Sequence, residues 1–540
     1  MVPSPSRKVA LGQFYSTRAL AEFMLSLTLS DPSTARALEP SCGPGVFVDA
    51  LVERGWRDIT AVDIDPVNAG LVRQVHGGLV EVRCQDFLDM TEANYDLVIG
   101  NPPYVGWSHL SADVRSRLRT GAPWAELANG QWDLLYSFLI WSVLRLRDGG
   151  ELVFIVPTAW MTSTYAASLR GFLAAHGDFE LILRFGEMRL FADCHPHCMV
   201  FRYRRRIAPR RGAIMVGDLN ASRGLSPTAA LAEASRLFGA APGPLGAGAG
   251  APDGGWSAYI APAFAGAGPW SLVPPLERQE NERLELACRG SSLSDLAHVC
   301  VGVASGLNEA FTLSDADQVP AAERLHVRKF VSGGGCERFT RARTFPMIFP
   351  EAQLEEELEG RAPWIHARLS ERRGDLEGRH LAAGRPWFSW ATVRNMEVFA
   401  SRAGRAAIAV RPIDRAPKAR FALVEGDALP LGDTLMIVRR EEAREDVLYL
   451  LSWLSSARVW RWYSSRGPRM GDRLRYTQGH VSRVPVLVID WTDPVEVAAH
   501  ARIVAFAEAR LDAEVDAASR LEGLIDTAFD ALVARRVSAL

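Results

Sequence analysis

Lysine is almost missing from this chain: among 61 basic side chains only Lys8, Lys329 and Lys418 are lysines, and the remainder are arginine. A fused endonuclease of the usual form needs a carboxylate two residues before a lysine. Those positions hold Ser6, Val327 and Ala416, so a centre of that form is excluded. Cysteine is scarce as well. The seven, at 42, 84, 194, 198, 288, 300 and 336, are an odd and scattered set, which reads as reduced thiols and not as a disulfide framework. None follows a proline, which excludes the Pro-Cys nucleophile of cytosine-C5 chemistry. No apolar run is long enough to span a bilayer, and the segment Met1 to Lys8 lacks the apolar core of a signal peptide. A cytoplasmic location, without a membrane partner, is the default expectation. The net charge of −2 gives no global sign of nucleic-acid binding, so any such contact must come from local arginine patches.

What is present is a soluble globular composition, 48% hydrophobic and 9% aromatic, on a chain of 540 residues, too long for one ordinary core. The first half alternates strand and helix patterns. Strands are expected at Ala35–Leu38, Ile59–Ile64, Leu79–Val82, Tyr95–Gly100, Glu151–Val156, Phe179–Phe185 and Cys198–Tyr203. Helices are expected at Val46–Arg54, Val67–His76, Leu134–Arg147 and Thr164–His176. Seven strands with interleaved helices make a doubly wound, Rossmann-like α/β sheet, which binds ligands beyond the carboxyl ends of its strands. Residues 239–268 are crowded with Gly, Ala and Pro and read as a linker or loop. The expected organisation is therefore a first domain over 1–238, the linker, and an α+β domain over 269–540 whose tail from Pro494 to Val537 is helical.

The interesting residues fall at the strand ends. Strand one runs into Leu38-Glu39-Pro40-Ser41-Cys42-Gly43-Pro44-Gly45, a turn whose two glycines let a ligand approach the backbone. Strand two ends Val62-Asp63-Ile64-Asp65, and strand three is followed by Gln85-Asp86-Phe87. An acid after strand two can accept ribose hydroxyls, one after strand three an adenine amine, and Glu39 can face a cationic amino-acid end. One such acid alone is an ordinary solvated loop carboxylate. Three at successive strand ends suit S-adenosylmethionine, a cation carrying ribose and adenine but no phosphate.

Strand four runs into Asn101-Pro102-Pro103-Tyr104. The prolines hold the backbone extended and remove two donors. Asn101 Oδ1 and the Pro102 carbonyl can then accept both N–H groups of an exocyclic amine. This draws its lone pair out of conjugation toward a methyl group, while Tyr104 offers a face for stacking. A polar turn stiffened by proline is the plain alternative for the tetrapeptide on its own.

With these motifs, and with Leu11-Gly12-Gln13-Phe14-Tyr15-Ser16-Thr17 ahead of them, the chain resembles the gamma-class N6-adenine-specific DNA methyltransferases of type II restriction–modification systems. The resemblance covers roughly the first 205 residues well and the second half more loosely. It implies a seven-stranded S-adenosylmethionine-dependent methyltransferase domain and a C-terminal α+β target-recognition domain. It implies that Thr17, Glu39, Gly43, Gly45, Asp63, Ile64, Asp86, Phe87 and Asn101 serve the cofactor. Asn101, Pro102 and Tyr104 would be catalytic, with Tyr104 and Phe191 stacking on the flipped base. The implied partners are double-stranded DNA and a separate cognate endonuclease, and the implied state is a monomer. Rival enzymes sharing the tetrapeptide are cytosine-N4 DNA methyltransferases and those acting on ribosomal RNA or a release-factor glutamine. A non-enzymatic rival is a DNA-binding protein with a dead catalytic domain.

Other signals are open. Cys194-His195-Pro196-His197-Cys198 has the residue types of a zinc site but not the spacing of one, because consecutive residues entering a strand point to alternating faces; no metal is expected. Arg202, Arg204, Arg205, Arg206, Arg210 and Arg211 are either a solvated sheet edge or a phosphate contact near the catalytic cleft. Arg466, Arg469, Arg473 and Arg475, in a glycine-punctuated stretch, are expected to contact DNA.

Overall fold

The buried strand Tyr95–Gly100, exposed in part only at Asp96, is the centre of the first of two units, 1–275 and 276–540. The computed structural model describes residues 16–539 apart from 122, 129, 187, 192–196, 220–223, 240–254, 403, 415–418 and 471–472, and the side chains of 469 and 470. In the first unit, β1 (Arg36–Glu39), β2 (Asp58–Asp63), β3 (Glu81–Cys84), β4 (Tyr95–Gly100), β5 (Leu146–Pro157), β6 (Gly177–Arg184), β7 (Cys198–Arg205), β8 (Ile214–Leu219) and β9 (Trp256–Ala261) form one sheet in the order 3-2-1-4-5-7-6-8-9. The first five strands are mutually parallel, and β7 inserts antiparallel between β5 and β6. Period-two alternation sends Leu97 and Ile99 into one apolar layer and Val98 into the other. The first layer is completed by α1 (Arg18–Ser26), α2 (Val46–Glu53) and the later helix Pro227–Phe238; the second by α5 (Leu134–Arg145) and α6 (Ala167–His176), with α3 (Pro66–His76) and α4 (Ala112–Thr120) between them in sequence. Leu134–Arg145 is apolar almost all round, as a helix covered on most sides must be.

All seven expected strands form, with ends shifted by a few residues, but the sheet has nine. Ile214–Leu219 and Trp256–Ala261 extend it, pairing over six residues from Ile214↔Ala261 to Leu219↔Trp256. This corrects both the seven-strand expectation and the linker over 239–268. Trp256 and Ala261 are 2% and 3% exposed, so residues 256–261 belong to the sheet and not to a linker. Its Gly, Ala and Pro content masked a strand whose partner lies about 40 residues upstream, and the division falls after Pro275 instead. Residues 240–254 lie outside the described set.

The second unit mixes α and β. A four-stranded sheet of Ala297–Val301, Leu435–Arg439, Ala407–Val410 and Phe421–Val424 is antiparallel throughout. A short hairpin, Arg469–Met470 with Arg473–Arg475, pairs with Ile413–Asp414. The tail is two helices, Pro494–Leu511 and Val515–Ser538, tied by a buried Arg536–Glu496 ion pair. Among the described residues no helix is long and apolar enough to cross a membrane.

Candidate active site

Glu39 ends β1 with no exposed surface. Beyond it the chain turns sharply into α2. Gly43 (φ 51°) and Gly45 (φ 103°) take left-handed conformations that disfavour a side chain, and Gly45 caps the helix. Glu39 Oε1 accepts from the Ser41 amide at 3.2 Å, whereas Oε2 is buried with no hydrogen-bond partner. Burial holds this carboxyl well above the usual range, and the nearby Asp63 charge adds to the rise. Gly100, the last residue of β4, makes room for it: a Cβ there would lie 2.3 Å from Glu39 Oε1.

Asp63, at the end of β2, accepts from the amides of Gly43 and Asp65, each at 2.8 Å, and from Asn68 Nδ2 at 3.4 Å. The carboxylate thus braces the glycine turn. Its own pKa is raised, because burial outweighs these donors. The next side chain, Ile64, is 58% exposed, an apolar group left at the mouth of the turn. Asp86 caps the short turn Phe87–Asp89 by accepting from the Leu88 amide at 2.9 Å, and its other oxygen pairs with Arg117 at 2.8 Å. The Phe87 ring is 2% exposed and packs on Phe138 with centroids 5.2 Å apart, so toward a ligand Phe87 offers main chain, not ring.

At the end of β4 the Asn101 carbonyl accepts from Ser41 Oγ at 3.2 Å, and Asn101 Nδ2 donates to Ser16 Oγ at 3.3 Å. The Tyr104 hydroxyl lies within donating reach of both Asn101 Oδ1 and the Ile155 carbonyl, the latter at 2.8 Å. The half-buried Tyr104 ring forms one wall of a cavity of about 120 Å³ whose lining includes Gly106, Asp133, Tyr136, Pro157 and Trp160. Asp133 Oδ1 accepts from the Trp107 amide at 3.1 Å, and burial raises its pKa. The Tyr136 phenol is pushed up to about 12 by burial and by Asp133.

Hydrogen bonds therefore join Glu39, Asn101 and Tyr104 through Ser41, and Asp63 to Gly43, and the two sets meet in the Ser41–Gly43 turn. Thr17 is the N-cap of α1, accepting from the Leu20 amide at 3.3 Å, and it is Ser16 beside it that touches Asn101. Phe191 is 4% exposed, in the apolar layer on which Tyr104 leans. Residues 11–15 of the first motif and 194–196 of the Cys-His segment lie outside the described residues; Cys198 is buried in β7. Sequence reasoning missed Ser16, Ser41, Asp133, Tyr136 and Trp160. Only Asp133, directly before an apolar helix in the position of a cap, carried a local signal.

The Arg202–Arg206 part of the basic run resolves toward structure, whereas Arg210 and Arg211 are exposed. Strand pairing sets Arg204 level with Glu151 and hence with Leu97, four residues or about 13 Å before Asn101. Beyond Arg204 the chain runs away from the site. Arg202 and Arg204 bind Glu180 and main-chain carbonyls, Arg205 the Leu146 carbonyl, and Arg206 pairs with Asp178 at 3.3 Å. In the second unit Arg473 and Arg475 are exposed on either side of buried Leu474, so both project from one face of the hairpin. Arg466 pairs with Glu285 at 2.9 Å and lies over the Trp462 ring.

An α/β sheet with a glycine turn, strand-end acids and an Asn-Pro-Pro-Tyr loop is matched by comparison with known proteins. Residues 72–191 match the family described as Eco57I restriction-modification methylase, and this segment is a restriction–modification methylase domain. The Type II methyltransferase M.HindII of Haemophilus influenzae is 24% identical over 515 residues, covering 90% of this chain and 91% of that protein. M.TthHB8I of Thermus thermophilus, another type II methyltransferase, is 33% identical over 217 residues, 38% of this chain and 47% of its own length. Among solved structures, the Type IIL restriction-modification enzyme MmeI in complex with DNA shares the fold. Its TM-score is 0.62 at 12% identity, over 100% of this chain and 79% of that one.

Proposed function

We propose that this chain transfers the methyl group of S-adenosylmethionine to the N6 amine of an adenine in a specific sequence of double-stranded DNA, with the adenine rotated out of the stack. The observation that carries this is Asn101, fixed at the end of β4 with its amide oxygen turned to Tyr104 and its main chain tied to the Ser41 hydroxyl of the glycine turn. The donor set fits the cofactor. Glu39 Oε2 is a buried acceptor that lacks a partner, suited to an ammonium; Ile64 offers apolar contact to a ring, and the Gly43–Gly45 turn admits close approach. When bound there, the cofactor supplies an electrophilic methyl on a sulfonium.

The protein's part is positioning. The Ser16 hydroxyl accepts from Asn101 Nδ2 and so holds the amide with its oxygen toward the amine. A phenol has one proton. When Tyr104 donates it to the Ile155 carbonyl, Asn101 Oδ1 is released to accept an N–H of the adenine, with the Pro102 carbonyl taking the other. With the cofactor held by Glu39, Asp63 and the glycine turn, its sulfonium methyl would be the group passed to the amine and the amine proton would leave to solvent, while Asn101 Oδ1 and the Pro102 carbonyl hold the amine in place. The Tyr104 ring, one wall of the cavity, offers the base a face for stacking. Incubating the protein with labelled cofactor and genomic DNA, then mapping the product by single-molecule sequencing, tests this. Methyl groups on adenine in one sequence context are expected; unmodified DNA, or label on cytosine, overturns the proposal.

Recognition is assigned to the second unit, with Arg473 and Arg475 as phosphate or base contacts. R473A and R475A are each expected to lower the slope of log affinity against log salt by about 0.9, the release of one counterion. R204A leaves the slope unchanged, because Arg204 is committed to Glu180. An unchanged slope in both hairpin variants would move the DNA contact elsewhere.

A further inference from the structure

Arg170 in α6 is 1% exposed, yet its partners are main-chain carbonyls. Nη1 donates to Trp160 and Ser163, both at 2.8 Å, and Nε to Ala267 and Gly268 at 3.1 and 2.7 Å. A buried guanidinium is ordinarily matched by a carboxylate. Here the planar fork instead clamps two separate stretches of chain: the loop after β5, and a strap that follows β9.

The first of these stretches reaches the cavity. Trp160 is one of its walls, and Ser163 hydrogen-bonds the Tyr136 phenol, another wall. Trp160 is 2% exposed with Nε1 buried and unpartnered, an unfavourable placement that something must enforce. The strap supplies part of the force. The Trp270 amide donates to the Met161 carbonyl at 2.8 Å, and the Trp270 ring meets Trp160 edge-on at 5.8 Å. Phe264 stacks on Trp270 at 4.4 Å and 4°. Arg170 joins strap to loop at four points.

We infer that Arg170 is a positioning residue for the target base: by pinning the Trp160 loop to the strap over 264–270 it fixes the walls of the cavity beside Tyr104. This rests on the proposed function, because it takes that cavity as the seat of the base. Arg170 touches no reacting atom and acts through Trp160 and Tyr136.

The test uses the full chain. Arg170→Lys keeps the charge but gathers its donors at one point, so it cannot span four carbonyls. Trp270→Leu loosens the strap without disturbing the buried cation. In each variant kcat for methyl transfer is expected to fall on the order of tenfold, with the cofactor Kd and the KM for DNA within twofold of wild type. The double variant is expected to be no slower than R170K alone, because the two act on one element. Wild-type kcat in folded R170K or in W270L overturns the inference. So does a loss of cofactor affinity matching the loss of kcat, which would mark general damage to the fold. Should R170K not fold, W270L decides alone. Wild-type protein that methylates no DNA refutes the proposed function; an active wild type with unaffected variants refutes only the role of Arg170.

Discussion

Asn101→Ala is expected to lower methyl transfer by a factor on the order of 10³ while leaving cofactor affinity within a few fold, the scale set by removing one preorganised group from a reacting centre. Alanine deletes the acceptor that draws the amine lone pair toward the methyl group. It leaves Glu39, Asp63 and the glycine turn in place, since these are bonded to main-chain amides and not to the Asn101 side chain. It also frees the Tyr104 hydroxyl to bond Ile155 alone, so the loop keeps one of its anchors. Single-turnover transfer of labelled methyl, with calorimetry of cofactor binding on the same preparation, separates the two effects. Activity within tenfold of wild type would remove Asn101 from the chemistry.

Glu39→Gln is expected to weaken cofactor binding about a hundredfold, the consequence of removing one partner of a buried charge pair worth about 3 kcal/mol. The same substitution should change the pH dependence of the empty protein in a direction that the burial fixes. Glu39 in the folded chain keeps its proton far above the ordinary carboxyl value of 4.5, whereas the unfolded chain releases it there. The folded state then binds more protons, so its stability falls as pH rises above that value, by up to about 1.4 kcal/mol per pH unit until the folded-state pKa is passed. Melting temperatures of wild type should therefore drop relative to E39Q between pH 5 and 8. Saturating cofactor, whose ammonium would favour the carboxylate, should reverse that gap. Parallel melting curves across the range would show Glu39 to be charged in the empty site, and would sink this account.

The candidate site residues could be picked out because they sit within a few positions of strand ends that period-two alternation marks. The apolar runs Tyr95–Gly100 and Ile59–Asp63 bracket their own termini, and Asn101-Pro102-Pro103-Tyr104 and Asp63 follow by adjacency. The strand over 256–261 was not legible. Its own residues, Trp-Ser-Ala-Tyr-Ile-Ala, are hidden between Gly-, Ala- and Pro-rich flanks, and what seats them in the sheet is six residues of pairing with Ile214–Leu219. The arginine run shows the same limit. Its density left a solvated sheet edge and a phosphate contact equally open, and which end of the sheet it occupies depends on β7 running antiparallel, a fact of topology with no local trace.

The sequence by itself determined the α/β pattern of the first unit, the strand-end acids, the glycine turn and the amide that would polarise an amine, because each is encoded over a handful of neighbouring residues. Only the tertiary structure decided that Asp63 braces the glycine turn and that Ser16, not Thr17, reaches Asn101. It alone placed Arg204 about 13 Å along the sheet from Asn101 and pinned the Trp160 wall through Arg170 to residues almost 100 positions later. Those contacts close over long separations in sequence. Their partners are mostly main-chain amides and carbonyls, which every residue carries and no composition or spacing can single out.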